Sequence, residues 1–185
     1  MKSYALATFI VLSAILHLRS EQPTSKTVSA RLAGEHTISS GSGGMIQGDV
    51  QITFDDGRTE VITHDGKCLA PEVSKNGAVY WIQCSGISER GYPLNEKIVL
   101  RNPGGKTIDL TGEPGYPVLR NSAFSADGAT LVAMWGGYHG IPVFVKYNSE
   151  TGKVAARITG VGDYNKLPGW AKPVAKGEAS LEHSE

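Results

Sequence analysis

Val73-Ser74-Lys75-Asn76-Gly77-Ala78 and Phe124-Ser125-Ala126-Asp127-Gly128-Ala129 are one phrase written twice, 51 residues apart. Each carries Ser, then Asn or Asp, then Gly, the composition of a tight hairpin turn whose Gly takes a left-handed backbone. A second turn alternates with it as Gly57-Arg58, Gly105-Lys106 and Gly152-Lys153, at spacings of 48 and 47 residues. Two turn types in a period of roughly 50 residues mean two hairpins, and therefore four strands, per unit. Two full units and half of a third fit between residues 48 and 159.

The segments between these turns read as strands. Val50 to Phe54, Glu60 to Thr63, Val79 to Cys84, Lys97 to Leu100, Thr130 to Trp135, Val143 to Tyr147 and Val154 to Thr159 are β-branched and aromatic runs bounded by Gly, Asn and Asp. No sustained 3.6-residue apolar period follows residue 20. The fold expected is all-β and antiparallel, built from repeated four-stranded sheets of an incomplete propeller, with a β-sandwich as the alternative. Thr27 to Leu32 is one further expected strand, and Ser39-Ser40-Gly41-Ser42-Gly43-Gly44 reads as a flexible connector.

The chain has 185 residues, 40% hydrophobic, with 23 Gly and 9 Pro, enough for one packed core with many turns. Eighteen basic and eighteen acidic residues cancel, which argues against nucleic-acid or anionic-membrane binding. Lys2, the largely apolar run Ala5 to Leu16 and Ser20 before Glu21-Gln22-Pro23 have the layout of a secretory signal. That run is too short to span a bilayer. Without residues 1–20 the chain has two more acids than bases. The expected organisation is a signal peptide at 1–20, a strand and Gly/Ser linker at 21–47, a repeat domain at 48–174 and a disordered tail at 175–185. The expected location is periplasmic or secreted.

Cys68 and Cys84 suit that compartment as a disulfide. If each Ser-x-x-Gly turn is a three-residue loop, opposed residue numbers sum to 152 in the first hairpin and 254 in the second. Cys68 then faces Cys84, within reach of a bond that would contribute about 3 kcal/mol. The equivalent pair in the second hairpin is Leu119 and Trp135.

Four antiparallel strands per unit, with Ser-x-Asp/Asn-Gly-Ala leading into an apolar strand, resemble the β-propeller blades of the WD40 and TolB-like families. The Trp-Asp dipeptide of WD40 is absent. The wider layout is similar to that of periplasmic immunity proteins that neutralise peptidoglycan-amidase effectors of type VI secretion. That resemblance implies a protein partner with a Cys–His cleft, blocked by an inserted rim loop.

No catalytic signature is legible, and an enzyme, a cofactor and a metal are not expected. Pro103-Gly104-Gly105-Lys106-Thr107 ends like a phosphate loop but lacks the earlier Gly and a following helix, so it reads as a turn. Asp55-Asp56 and His64-Asp65 flank turns that favour Asp on backbone grounds. His139 has no orienting partner in sequence. The loops offer contact residues instead. Arg90 and Tyr92 lie in one, Tyr116, Arg120, Asn121 and Ser122 in a second, and Tyr138 and His139 in a third. Tyr and Arg supply wide contact area with polar tips, which makes these residues the expected partner-binding site, and the second loop and Tyr138-His139 are expected to converge on one rim. The alternatives are an envelope scaffold or assembly subunit, as the TolB-like resemblance implies, and a small carbohydrate-binding or hydrolytic protein stacking sugars on Trp81, Trp135 or Trp170, of which the first two sit inside strands and read as core. Open sheet edges leave a second copy of the chain as another expected partner.

Overall fold

The computed structural model describes residues 25–40, 43–87, 93–94, 96–112, 114–137, 140–159 and 164–179. The fold is all-β and antiparallel, with sheets of seven, four and two strands. β1 (Thr27–Ser40), β2 (Gly43–Phe54) and β3 (Thr59–Val61) form the first layer. β4 (Cys68–Val73), β5 (Val79–Gln83), β8 (Lys97–Arg101) and β9 (Thr107–Leu110) form a four-stranded meander, with the two-residue strands β6 (Gly86–Ile87) and β7 (Pro93–Leu94) between β5 and β8. A second meander follows as β10 (Val118–Phe124), β11 (Thr130–Gly136), β12 (Val143–Asn148) and β13 (Val154–Thr159). The chain ends in a 3-10 turn at Tyr164–Lys166 and a helix, α1 (Lys172–Ala179).

These sheets stack face to face, and strand alternation decides which residue serves which interface. Val79, Trp81 and Val99 point to the first layer, where they meet Val50, Ile52 and Phe54. Tyr80, Ile98 and Leu100 point the other way, against Leu131, Ala133, Trp135, Val143 and Val145. Tyr80 ties the two meanders together: its hydroxyl donates to Ser122 O at 3.1 Å and its ring meets Phe124 edge-on at 5.2 Å. The remaining face of β11 and β12 carries Val132, Met134 and Phe144, which Leu167, Ala171, Val174 and Ala175 cover. Strands covered on both faces need apolar residues at consecutive positions, which is why Leu131 to Trp135 reads as an unbroken hydrophobic run.

One connection joins the first layer to the first meander within a single sheet, the bridge Gly48↔Cys68. A Cβ at Gly48 would lie 2.7 Å from Ala33 O, so only glycine permits the close approach of β1 there. Beyond Gly48, β1 and β2 continue as a two-stranded arm from His36↔Gln47 to Ser40↔Gly43.

Three expectations need correction. The Ser39–Gly44 stretch is not a linker, because Ser39 and Ser40 end β1 and Gly43 and Gly44 begin β2, in register with each other. Cross-strand backbone pairing overrides the flexibility of a Gly/Ser composition there. The tail expected from residue 175 is helical to Ala179, and Ala175 is buried on the second meander.

The disulfide is also absent: Cys68 and Cys84 are both free and buried. The register is as expected beside the turn, where Val73 faces Val79 and Glu72 faces Tyr80. A bulge between Leu69 and Glu72 then shifts the pairing by one, so Cys68 faces Gln83. Ala70, with φ at +43°, lies in that bulge. The second hairpin has the same device between Leu119 and Asn121, where it brings Leu119 opposite Trp135.

Candidate functional site

Antiparallel meanders put their hairpin turns at one end and their longer connections at the other. At the turn end, Gly77 N donates to Ser74 O at 3.0 Å and Gly128 N to Ser125 O at 2.8 Å. Gly57, Gly105 and Gly152 likewise donate to Phe54, Asn102 and Asn148 carbonyls. Neighbouring turns also bond to one another. Asn76 Nδ2 donates to Ser149 Oγ at 3.3 Å, Ser149 Oγ to Gly128 O at 2.8 Å, and Asn102 Nδ2 to Glu150 O at 2.8 Å.

The opposite end gathers the β5–β8, β9–β10 and β11–β12 connections and the β1–β2 arm. Gln47 Nε2 in the arm donates to Cys84 Sγ at 2.9 Å, and Cys84 N donates to Lys67 O. The Glu96 carboxylate accepts from Leu119 N at 3.0 Å, and burial raises its pKa against the lowering effect of that bond. Arg120 lies across Gly136, where a Cβ would come within 2.3 Å of its Nε, and donates to Gly137 O at 3.0 Å. A shallow depression of about 400 Å³ opens between Gly115 and Tyr116 on one side and Gly137, Gly140 and Ile141 on the other. The described parts of the two connections, at Gly115–Tyr116 and at Gly137, Gly140 and Ile141, therefore meet.

The individual residues divide. Tyr116 lines this depression while also packing on the core between the meanders. Arg120 reaches the rim but braces the β11–β12 loop. Asn121 faces the C-terminal segment, its Nδ2 donating to Val174 O at 2.8 Å, and Ser122 is buried. Neither Asn121 nor Ser122 is brought to the rim. Arg90, Tyr92, Tyr138 and His139 lie outside the described residues.

Sequence reading missed the apolar side of this end. Ile46 in the arm and Ile141 in the β11–β12 loop are each 55% exposed, and Leu94 is 39% exposed. The other two exposed large apolar residues described, Val28 and Val154, lie towards the turn end. Isolated apolar residues in Gly-rich or irregular segments carry no periodic signal, so only the fold brings these three to one end.

The thiols are buried structural groups. Desolvation pushes Cys68 up to about 11, and it raises Cys84 as well. Trp81 and Trp135 are 3% and 0% exposed and present no face on which a sugar could stack. Among the described residues no three His, Cys, Asp or Glu side chains are grouped to hold a metal, and no helix is long and apolar enough to cross a membrane. Comparison with protein-family models, curated proteins and solved structures finds no match for the chain.

Proposed function

We propose that the chain is an exported protein-binding module whose loop end seats against a partner. The carrying observation is that Ile46, Leu94 and Ile141 are all exposed at that end, where Ile141 and Tyr116 line the shallow depression. Exposed apolar residues at one end of a molecule suit a docking face, since their desolvation drives association. The central strands of both meanders are already covered, by the first layer and by the C-terminal helix.

The most specific form of this reading is an immunity protein that blocks a peptidoglycan-amidase effector of type VI secretion. A glycine-rich loop such as Gly136 to Pro142 would enter the Cys–His cleft, occupy the substrate's place and exclude water. Such an inhibitor needs shape and a rigid base, not a catalytic group. Arg120 supplies part of that base by fixing the loop's first carbonyl.

A second reading has its own support. Both meanders carry the same two turn types in the same order and stack face to face, as propeller blades do. On that reading the chain is an envelope scaffold that associates through further copies of itself.

Capture from envelope extract with the tagged full chain, followed by light scattering, separates the two. A one-to-one complex with a Cys–His amidase, whose activity falls as the chain is added, supports inhibition. Ile141→Asp should then weaken capture by about tenfold or more, with Tm unchanged. Capture indifferent to Ile46→Asp, Leu94→Asp and Ile141→Asp would overturn the loop-end assignment. A homo-oligomer without the amidase would favour the scaffold.

A further inference from the structure

The first layer has three strands and the meander beneath it has four. The shortfall falls beside β3, which pairs with β2 and with no other strand. Ile62 N donates to Val50 O at 2.8 Å, so Ile62 faces β2. Backbone alternation then turns the N–H and C=O of Val61 to the free edge. On that side lies a groove of about 460 Å³, floored by Trp81, Val99 and Arg101 and flanked by Thr107 and Asp109 of β9. Thr107 and Asp109 are exposed, as expected of a strand with nothing lying over it.

One further observation points to an occupant. Of the charged residues that line the groove, Glu60 stands at its β3 side and Asp109 is paired with Lys97 at 2.6 Å, whereas among the described residues no hydrogen bond or ion pair joins the Arg101 side chain. A guanidinium without a partner at the groove floor fits a carboxylate.

We propose that this groove binds an extended peptide segment of another protein, which carries one carboxylate and adds to β3 as the fourth strand of the first layer. Backbone bonds to Val61 would supply affinity. Alternate side chains would lie over Val99 and Trp81, and one carboxylate would meet Arg101. The site lies on the side of the molecule and is independent of the loop end.

The test uses the isotope-labelled full chain and a blocked seven-residue Thr/Val-alternating peptide carrying one Glu, with a Lys-for-Glu peptide as control. The expected result is saturable NMR shifts at residues 59–62 and at the Trp81 indole, with slowed exchange of the Val61 amide. Val61→Pro removes an N–H that β2 does not use, a change that edge strands tolerate. It should lower affinity by about tenfold or more with little change in Tm. Arg101→Glu should weaken the Glu peptide and strengthen the Lys peptide. Absence of shifts at about 1 mM peptide, shifts at the loop end or along β1, or a folded Val61→Pro variant that binds like wild type would each overturn the proposal.

Discussion

The two ends of this molecule are built on opposite rules. At the turn end each repeated hairpin closes its own backbone bonds, and the turns of Gly77, Gly105, Gly128 and Gly152 also bond to one another, so their position is fixed twice over. At the loop end the connections are longer and irregular, held by a few side chains such as Glu96, Arg120 and Gln47. Three of the five exposed large apolar residues described lie at the second end. The difference teaches that repetition here supplies the scaffold, whereas departures from the repeat supply the irregular surface on which the proposed docking rests.

The same substitution made at both ends sharpens that contrast. Gly128 has φ at +75°, and a Cβ there would lie 2.9 Å from Lys75 N and 3.0 Å from Asn76 N in the neighbouring turn. Gly115 has φ at +85° and open space around it. Gly128→Ala should cost about 2–4 kcal/mol, a Tm drop of roughly 5–15 °C. Gly115→Ala should cost only the left-handed backbone term of ~1–2 kcal/mol. Equal losses in thermal denaturation would mean that stacking of the turns adds nothing.

A smaller effect is expected at Glu96, where the folded-state pKa lies above the ordinary value because of burial. Its contribution is therefore fully present below pH 4.5 and is lost as pH rises through the raised folded pKa. Glu96→Gln keeps an acceptor for Leu119 N without the buried charge. The variant should be more stable than wild type at pH 7 and equal to it near pH 4, read from melts across that range. A variant less stable at pH 7 would show that the charged hydrogen bond outweighs desolvation.

The free thiols give a prediction with no stability change. Thiol titration of the denatured chain should find two per molecule, and reductant should leave Tm unchanged. One bond between Cys68 and Cys84 would mean that the β4 bulge is not where the register places it.

What was legible in the sequence follows the same division. The turns were readable because Asn76, Asp127 and the glycines after them are local chemistry, needing no knowledge of the rest of the chain. Alternation likewise placed Trp81 and Trp135 in the core. The bulge at Ala70 was not legible, since Ala gives no sign of a left-handed backbone, and the cysteine pairing failed with it. The arm was misread because Ser39 to Gly44 has a linker's composition, while its order comes from cross-strand pairing. Helix α1 escaped notice because Val174 and Ala175 are two apolar residues in a short segment containing Pro173 and Gly177, and only the exposed face of β11 and β12 gives them something to cover.

Native-state hydrogen exchange on the full chain tests the central claim most directly. The amides of Gly77, Gly105, Gly128 and Gly152 should exchange at least about tenfold more slowly than those of residues 112, 115–116, 137 and 140–141, which should open locally without global unfolding. Equal protection at the two ends, or slower exchange at the loop end, would contradict the division of the molecule into a rigid turn end and a loop end that opens locally.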